Sequence, residues 1–127
     1  MVVIIINKER IVRSFLELFF KNFFPGAMTK SFCAGYEAWP IIVENSDNRI
    51  KTLVVTGIDY GDRSMDGLDL ARLVRSNAAC NDIPIIMTSG LGDRNAKEAR
   101  EAGVNLFTEV PFDCVTFQKQ LQMLFFQ

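Results

Sequence analysis

The chain has 127 residues, of which 49% are hydrophobic and 23% charged, and its formal net charge is -1. That length suits a single domain, residues 1–127, with a core that needs no disulfide or metal, and the composition excludes an intrinsically disordered chain. There is no basic surplus to hold nucleic acid, and with no histidine a Ser-His-Asp triad, a Cys-His dyad and a histidine-bearing zinc site are all excluded.

In chain order, Val2–Ile6 is apolar throughout and reads as a buried first strand. It is too short for a signal peptide or a membrane span, and the polar run Asn7-Lys8-Glu9-Arg10 ends it. Glu9–Phe23 carries Val12, Phe15, Leu16, Phe19 and Phe23 at helical spacing and stops at Pro25-Gly26. Ser31–Ala34 is expected as a weaker second strand. Tyr36–Glu44 follows as a short helix with Pro40 near its first turn, and Asn45–Arg49 as a polar loop. Thr52–Gly57, with the β-branched Val54-Val55-Thr56, is the third strand; Leu68–Ser76 is the third helix and Ile83–Thr88 the fourth strand. Gly92–Ala102 is a charged helix closed by Gly103, Asn105–Thr108 a short fifth strand, and Asp113 the N-cap of a last helix to about Phe125.

Apolar strands that alternate with helices imply a parallel sheet covered on both faces, with function beyond the carboxyl ends of its strands. Those ends are Ile6–Glu9, Gly57–Asp62, Thr88–Gly90 and Glu109–Pro111. Cys33, Cys80 and Cys114 form no CxxC pair and read as reduced thiols of a cytoplasmic protein. The eleven phenylalanines include the pairs Phe19-Phe20, Phe23-Phe24 and Phe125-Phe126. Neighbours on a helix point about 100° apart, so some of these rings are expected on the surface. No G-x-G-x-x-G or G-x-x-x-x-G-K-[ST] is present, which argues against a nucleotide or flavin site.

The stretch Met65 to Gly90 contains Met65-Asp66-Gly67-Leu68-Asp69-Leu70 and Asp82-Ile83-Pro84-Ile85-Ile86-Met87-Thr88-Ser89-Gly90. Further on come Glu101-Ala102-Gly103-Val104, Phe107 and Pro111-Phe112, and Gly35-Tyr36-Glu37-Ala38 lies upstream. In order and spacing this set resembles the response-regulator receiver domains of bacterial two-component signalling, the CheY-like superfamily. The resemblance implies a flavodoxin-like (βα)5 three-layer sandwich, a five-stranded parallel sheet with helices on both faces.

The resemblance also implies a chemistry. An acidic pair after the first strand helps to hold Mg²⁺, an aspartate at the end of the third strand takes the phosphoryl group, a Ser or Thr after the fourth strand donates to it, and a lysine after the fifth neutralises its charge. At the acidic pair this chain has Ile6 and Asn7, and at the lysine position Val110. Ser89, with Thr88 beside it, stands at the hydroxyl position, and Phe107 where the family often has an aromatic switch. The acceptor is ambiguous. Ungapped counting from Met65-Asp66-Gly67 puts Asp59 there, whereas matching the strand Leu53-Val54-Val55-Thr56 puts Gly57 there. Strand register is fixed by burial, which favours Gly57 and a lost acceptor.

The expected function is therefore that of a stand-alone, degenerate receiver, not an enzyme, with no cofactor. It would bind a histidine kinase or a downstream target through Leu91–Arg100, Phe107 and Asp113–Phe125, or pair with itself there, and would bind neither nucleic acid nor membrane. The alternative is an atypical active receiver phosphorylated on Asp59, with Asp59, Asp62 and Asp66 supplying metal oxygens for Mg²⁺. The family's bond before Pro111 is usually cis, so Val110-Pro111 is a candidate for a retained structural turn.

Overall fold

A computed structural model describes residues 1–59, 65–90, 96–109 and 113–125, the Phe125 side chain excepted. Five strands, β1 (Val2–Ile6), β2 (Met28–Phe32), β3 (Thr52–Thr56), β4 (Ile85–Ser89) and β5 (Leu106–Glu109), form one parallel sheet in the order β2-β1-β3-β4-β5. Five helices alternate with them: α1 (Arg10–Phe23), α2 (Gly35–Asp47), α3 (Gly67–Ser76), α4 (Ala96–Glu101) and α5 (Cys114–Phe125). This is the flavodoxin-like sandwich that the sequence implied.

The period-2 geometry of the strands divides the core. Val3 and Ile5 of β1, Leu53 and Val55 of β3 and Ile86 of β4 face α1 and α5, where they meet Leu16, Phe19, Phe20, Phe117 and Leu121. Ile4, Ile6, Val54, Ile85 and Met87 face the other way, onto Ala38 and Ile42 of α2, Leu70, Ala71 and Val74 of α3 and Ala99 of α4. Both faces of β1, β3 and β4 are thus covered, which is why Val2–Ile6, Leu53–Val55 and Ile85–Met87 read as unbroken apolar runs.

Several boundaries differ from the sequence reading. The second strand is Met28–Phe32, not Ser31–Ala34, and Cys33 and Ala34 lie beyond it. As an edge strand it is only half covered, so its residues Met-Thr-Lys-Ser-Phe carry no apolar run to mark it. Helix α2 runs three residues past Glu44, and Asn45, expected in a loop, is buried within it. Pro40 is its sixth residue rather than part of its first turn. Pro40 and Tyr36, whose carbonyl loses its donor, are both exposed, so water can take up that bond. β4 begins at Ile85 rather than Ile83, and β5 runs from Leu106 to Glu109 rather than from Asn105 to Thr108. The described part of the fourth helix is Ala96–Glu101, and residues 92–95 of the expected element lie outside the described residues.

The phenylalanine pairs also behave differently. Phe19 and Phe20 are both buried, in edge-to-face contact with ring centroids 5.1 Å apart, and Phe19 stacks on Phe23 at 4.9 Å and meets Phe117 at 5.0 Å. Helix α1 sinks a wide arc into the sheet, and Phe24 turns back over it from beyond the helix end. The large apolar side chains left exposed on α1 are Ile11, Phe15 and Leu18 instead. Phe126 lies outside the described residues.

Helix α5 begins as expected at Asp113, whose carboxylate accepts from the Val115 N–H at 3.2 Å and the Thr116 hydroxyl at 2.7 Å. The Thr116 hydroxyl, and then the Val115 amide, hold this carboxyl below the ordinary aspartate range. A depressed folded-state pKa contributes stability that is full above the unfolded value of 3.8 and is lost as pH falls through the folded value. Protection of the Val115 and Thr116 amides, taken relative to their intrinsic exchange rates, is therefore expected to fall on acidification below that range. In Asp113→Asn, which caps without titrating, that loss of protection should be absent; equal loss in both proteins would show that the cap does not titrate there.

Candidate functional site

Register brings the site together. Ile6 pairs with Thr56 and Thr56 with Met87, so Asn7, Gly57 and Thr88 emerge side by side where β1, β3 and β4 end, with Ser89 one step beyond. The Asn7 N–H donates to the Phe32 carbonyl at 3.1 Å and the Gly57 N–H to the Ile6 carbonyl at 2.8 Å, extending the ladder by one rung on either side of β1. These ends border a cleft of about 420 Å³ lined by Asn7, Lys8, Glu9, Val12, Gly57, Ile58, Asp59, Thr88, Ser89 and Gly90. It lies at the carboxyl edge of the sheet, where the alternation of elements in the sequence expects function.

Among the described residues, Asn7, Gly57, Thr88 and Ser89 at the strand ends carry no carboxylate. Ile6 is fully buried in the core. The Asn7 Oδ1 accepts from the Glu9 N–H at 2.9 Å, which turns Nδ2 toward Gly57, to within 2.9 Å of where a β-carbon on that glycine would lie. Arg13 Nη1 donates to the Asn7 carbonyl at 2.7 Å and fixes the loop from the α1 side. Thr88 and Ser89 are both buried, and the Thr88 Oγ1 has no hydrogen-bond partner among the described residues.

The carboxylates stand at the rim. Asp59 is exposed, and its Oδ2 pairs with Lys8 Nζ at 3.0 Å across the mouth, the two side chains being 69% and 44% exposed. A pair this open to solvent contributes about 0–1 kcal/mol, too little to hold the mouth shut. Lys8 was not singled out by the sequence; its only mark there is its place in the polar step that ends β1. Asp66 is occupied elsewhere: it caps α3, accepting from the Asp69 N–H at 2.9 Å while the Asp69 carboxylate accepts from the Asp66 N–H at 3.1 Å.

These donors do not fit a hard divalent cation. Mg²⁺ demands octahedral oxygen ligands, usually with one or two carboxylates. Here Ile6 offers none, the Asn7 oxygen is engaged, Gly57 has no side chain, and no group of three or more acidic, cysteine or histidine residues is so arranged among the described residues. Val110, Pro111 and Asp62 lie outside the described residues.

Phe107 is half-buried on β5, level with Met87, and packs against the core on the α2–α4 face. On the expected partner face, Lys97, Glu98 and Arg100 of α4 are exposed, as are Val115 and Met123 of α5, while residues 91–95 lie outside the described residues. Ile11, at 76% exposure, is on α1 and outside that face.

The architecture and the cleft define a receiver-type α/β domain. No family model matches the chain. It is 34% identical over 91 residues to the chemotaxis protein CheY1 of Helicobacter pylori, spanning 71% of this chain and 69% of that protein. A CheY homologue of Campylobacter jejuni is 34% identical over 89 residues, 69% of this chain and 65% of its own length. Among solved structures, the signal receiver domain of a histidine kinase from Syntrophus aciditrophicus superposes with a TM-score of 0.80 at 21% identity, covering 97% of this chain and 88% of that one. Vibrio cholerae CheY4 does so at 0.77 and 18%, covering 97% of each. The receiver domain of a Pseudomonas aeruginosa sensor kinase, solved with magnesium in its active-site cleft, gives 0.77 at 16% identity over 97% of this chain and 95% of that one. The chain belongs to the CheY-like response-regulator receiver family of two-component signalling. No helix among the described residues is long and apolar enough to cross a membrane.

Proposed function

We propose that this receiver works by protein–protein contact and carries no aspartyl phosphate. The observation that supports this reading is Gly57 at the end of β3 with the Asn7 amide nitrogen over it, where the family's chemistry needs a carboxylate. Under the same reading the chain binds no Mg²⁺, is not an enzyme, and acts in the cytoplasm on a histidine kinase or a downstream target, without nucleic acid. Its contact face comprises α4, β5 around Phe107, and α5, with a homodimer through that face as one form of the contact. The exposed Ile11, Phe15 and Leu18 of α1 add a second apolar stripe to the surface available to a partner.

A second reading has one observation in its favour: Asp59 lines the same cleft as Ser89 and faces an ammonium, Lys8. An active receiver phosphorylated on Asp59 would use that pair. Incubation with acetyl phosphate and Mg²⁺, read by intact mass, separates the two. The expected result is no phosphoryl adduct in folded protein, for the parent and for Asp59→Ala alike. An adduct present in the parent and lost in Asp59→Ala would make Asp59 the acceptor and overturn the first reading.

A further inference from the structure

We propose that α1 of one copy packs on α2 of a second copy, side by side and in the same direction, so that Arg10 meets Glu37 and Lys21 meets Asp47 across an apolar seam. Each molecule then offers one face of each kind, and copies associate head to tail. The contact leaves the α4–β5–α5 face free and does not depend on whether the cleft takes a phosphoryl group.

Two surfaces carry the inference. On α1, Ile11, Phe15 and Leu18 stand 76%, 38% and 56% exposed at i, i+4 and i+7, along one ridge of the helix. Arg10 and Lys21, both exposed, bracket that ridge. On α2, Tyr36 and Pro40 are exposed, and the exposed Glu37, Glu44 and Asp47 are the only charged residues of the helix. The spans agree: Arg10 and Lys21 are eleven residues apart and Glu37 and Asp47 ten, which at the helical rise is about 16 Å and about 15 Å. Arg10, Lys21, Glu37 and Asp47 make no ion pair among the described residues.

Helix dipoles set the direction of the pairing. Arg10 is the first residue of α1, whose first turn has no acid, and Asp47 is the last residue of α2, whose last turn has no base. Each stands at the end of its helix that disfavours its charge. Packing in the same direction puts Glu37, in the first turn of α2, beside Arg10, and Lys21, in the last turn of α1, beside Asp47. Each misplaced charge thus gains a counter-ion. Glu17, an acid on the same side of α1, is turned to β2, where it accepts from the Ser31 hydroxyl. A second α1 offers no such match, because a parallel pair sets Arg10 against Arg10 and an antiparallel pair sets it against Lys21. Because α1 and α2 pack on opposite faces of the sheet, one neighbour cannot fill both, and the contact is heterologous and open-ended.

With exposed charges and a small apolar seam the contact is weak, with a Kd expected on the order of 0.1 mM. The test is sedimentation equilibrium of the whole chain from about 0.01 mM to about 1 mM, a range that brackets that Kd. The weight-average mass should rise past that of two copies at the upper end, and should fall as salt is added. Lys21→Glu alone and Asp47→Lys alone should each weaken association about tenfold, since each sets like charges together. An equimolar mixture of the two should regain the association of the parent, because every contact between unlike copies restores an opposite pair. That recovery would also show that both variants fold. A chain that stays monomeric throughout would overturn the proposal and leave the α1 ridge to an unlike partner. Association that both variants leave intact, or a mixture no more associated than either variant alone, would place the contact elsewhere and overturn it too. A mass that levels off at two copies would mean a closed dimer, against the head-to-tail contact.

Discussion

Gly67→Ala is expected to destabilise the protein by about 3 kcal/mol or more. A β-carbon at Gly67 would lie 2.0 Å from the carbonyl oxygen of Gly57 and 3.1 Å from the Ile58 Cα. Both neighbours are backbone, so no side chain can swing aside, and the loop or the helix must shift. The approach is close because the first turn of α3 docks onto the end of β3, where the Gly67 N–H donates to the Ile58 carbonyl at 2.6 Å. The Asp66–Asp69 capping box seats the helix at that spot. The strain would fall on the floor of the cleft, so the Gly57 amide resonance should move along with the denaturation midpoint. Gly26→Ala is the control, since a β-carbon there has nothing within 4 Å. A Gly67→Ala midpoint equal to that of the control would contradict the docking described here.

The second large effect is expected at Arg75, where truncation to alanine should cost about 2–4 kcal/mol. Its guanidinium donates to the Gly103 carbonyl at 2.9 Å, the Asn81 carbonyl at 2.9 Å, the Ile83 carbonyl at 2.7 Å and the Asn105 Oδ1 at 2.7 Å. One side chain on α3 thus ties the loop before β4 to the loop before β5. Burial lowers the Arg75 pKa from its ordinary value, and Asp82 partly offsets this. Removing it would leave three backbone carbonyls without this donor, and its stem packs where a β-carbon on Gly103 would otherwise sit. Gly103 has φ +96, which a side chain would strain, so both ends of the contact resist change. Arg75→Lys should restore little of the loss, because an ammonium cannot reproduce a planar fork shared among four acceptors. Urea midpoints of the two variants check this, and a lysine variant as stable as the parent would mean that charge, not geometry, holds the loops.

Both residues were visible in the sequence only as parts of a pattern. Gly67 appeared as the glycine of Met65-Asp66-Gly67, with nothing to say that its missing β-carbon makes room for the Gly57 carbonyl. Arg75 looked like any arginine near a helix end, because its acceptors come from residues 81 to 105 and meet only when the sheet is assembled.

What the sequence by itself determined was the fold and the family. Strands buried on both faces must be apolar throughout, so β1, β3 and β4 could be read directly, and helix period separated them. It also determined which residue types are present for chemistry: no histidine anywhere, and Ile6, Asn7 and Val110 where the family's charged groups are expected. Edge strand β2 was misplaced because half-covered strands carry no apolar run, and Phe19 and Phe20 are both buried because an angle between neighbours does not say how wide an arc the sheet buries.

Only the tertiary structure decided the polarity of the cleft. The direction of the Asn7 amide depends on its bond to the Glu9 N–H, and the Lys8–Asp59 pair on two loops 51 residues apart in sequence. A side chain's type is written in the chain, but the direction in which it donates or accepts is set by neighbours that become neighbours only on folding.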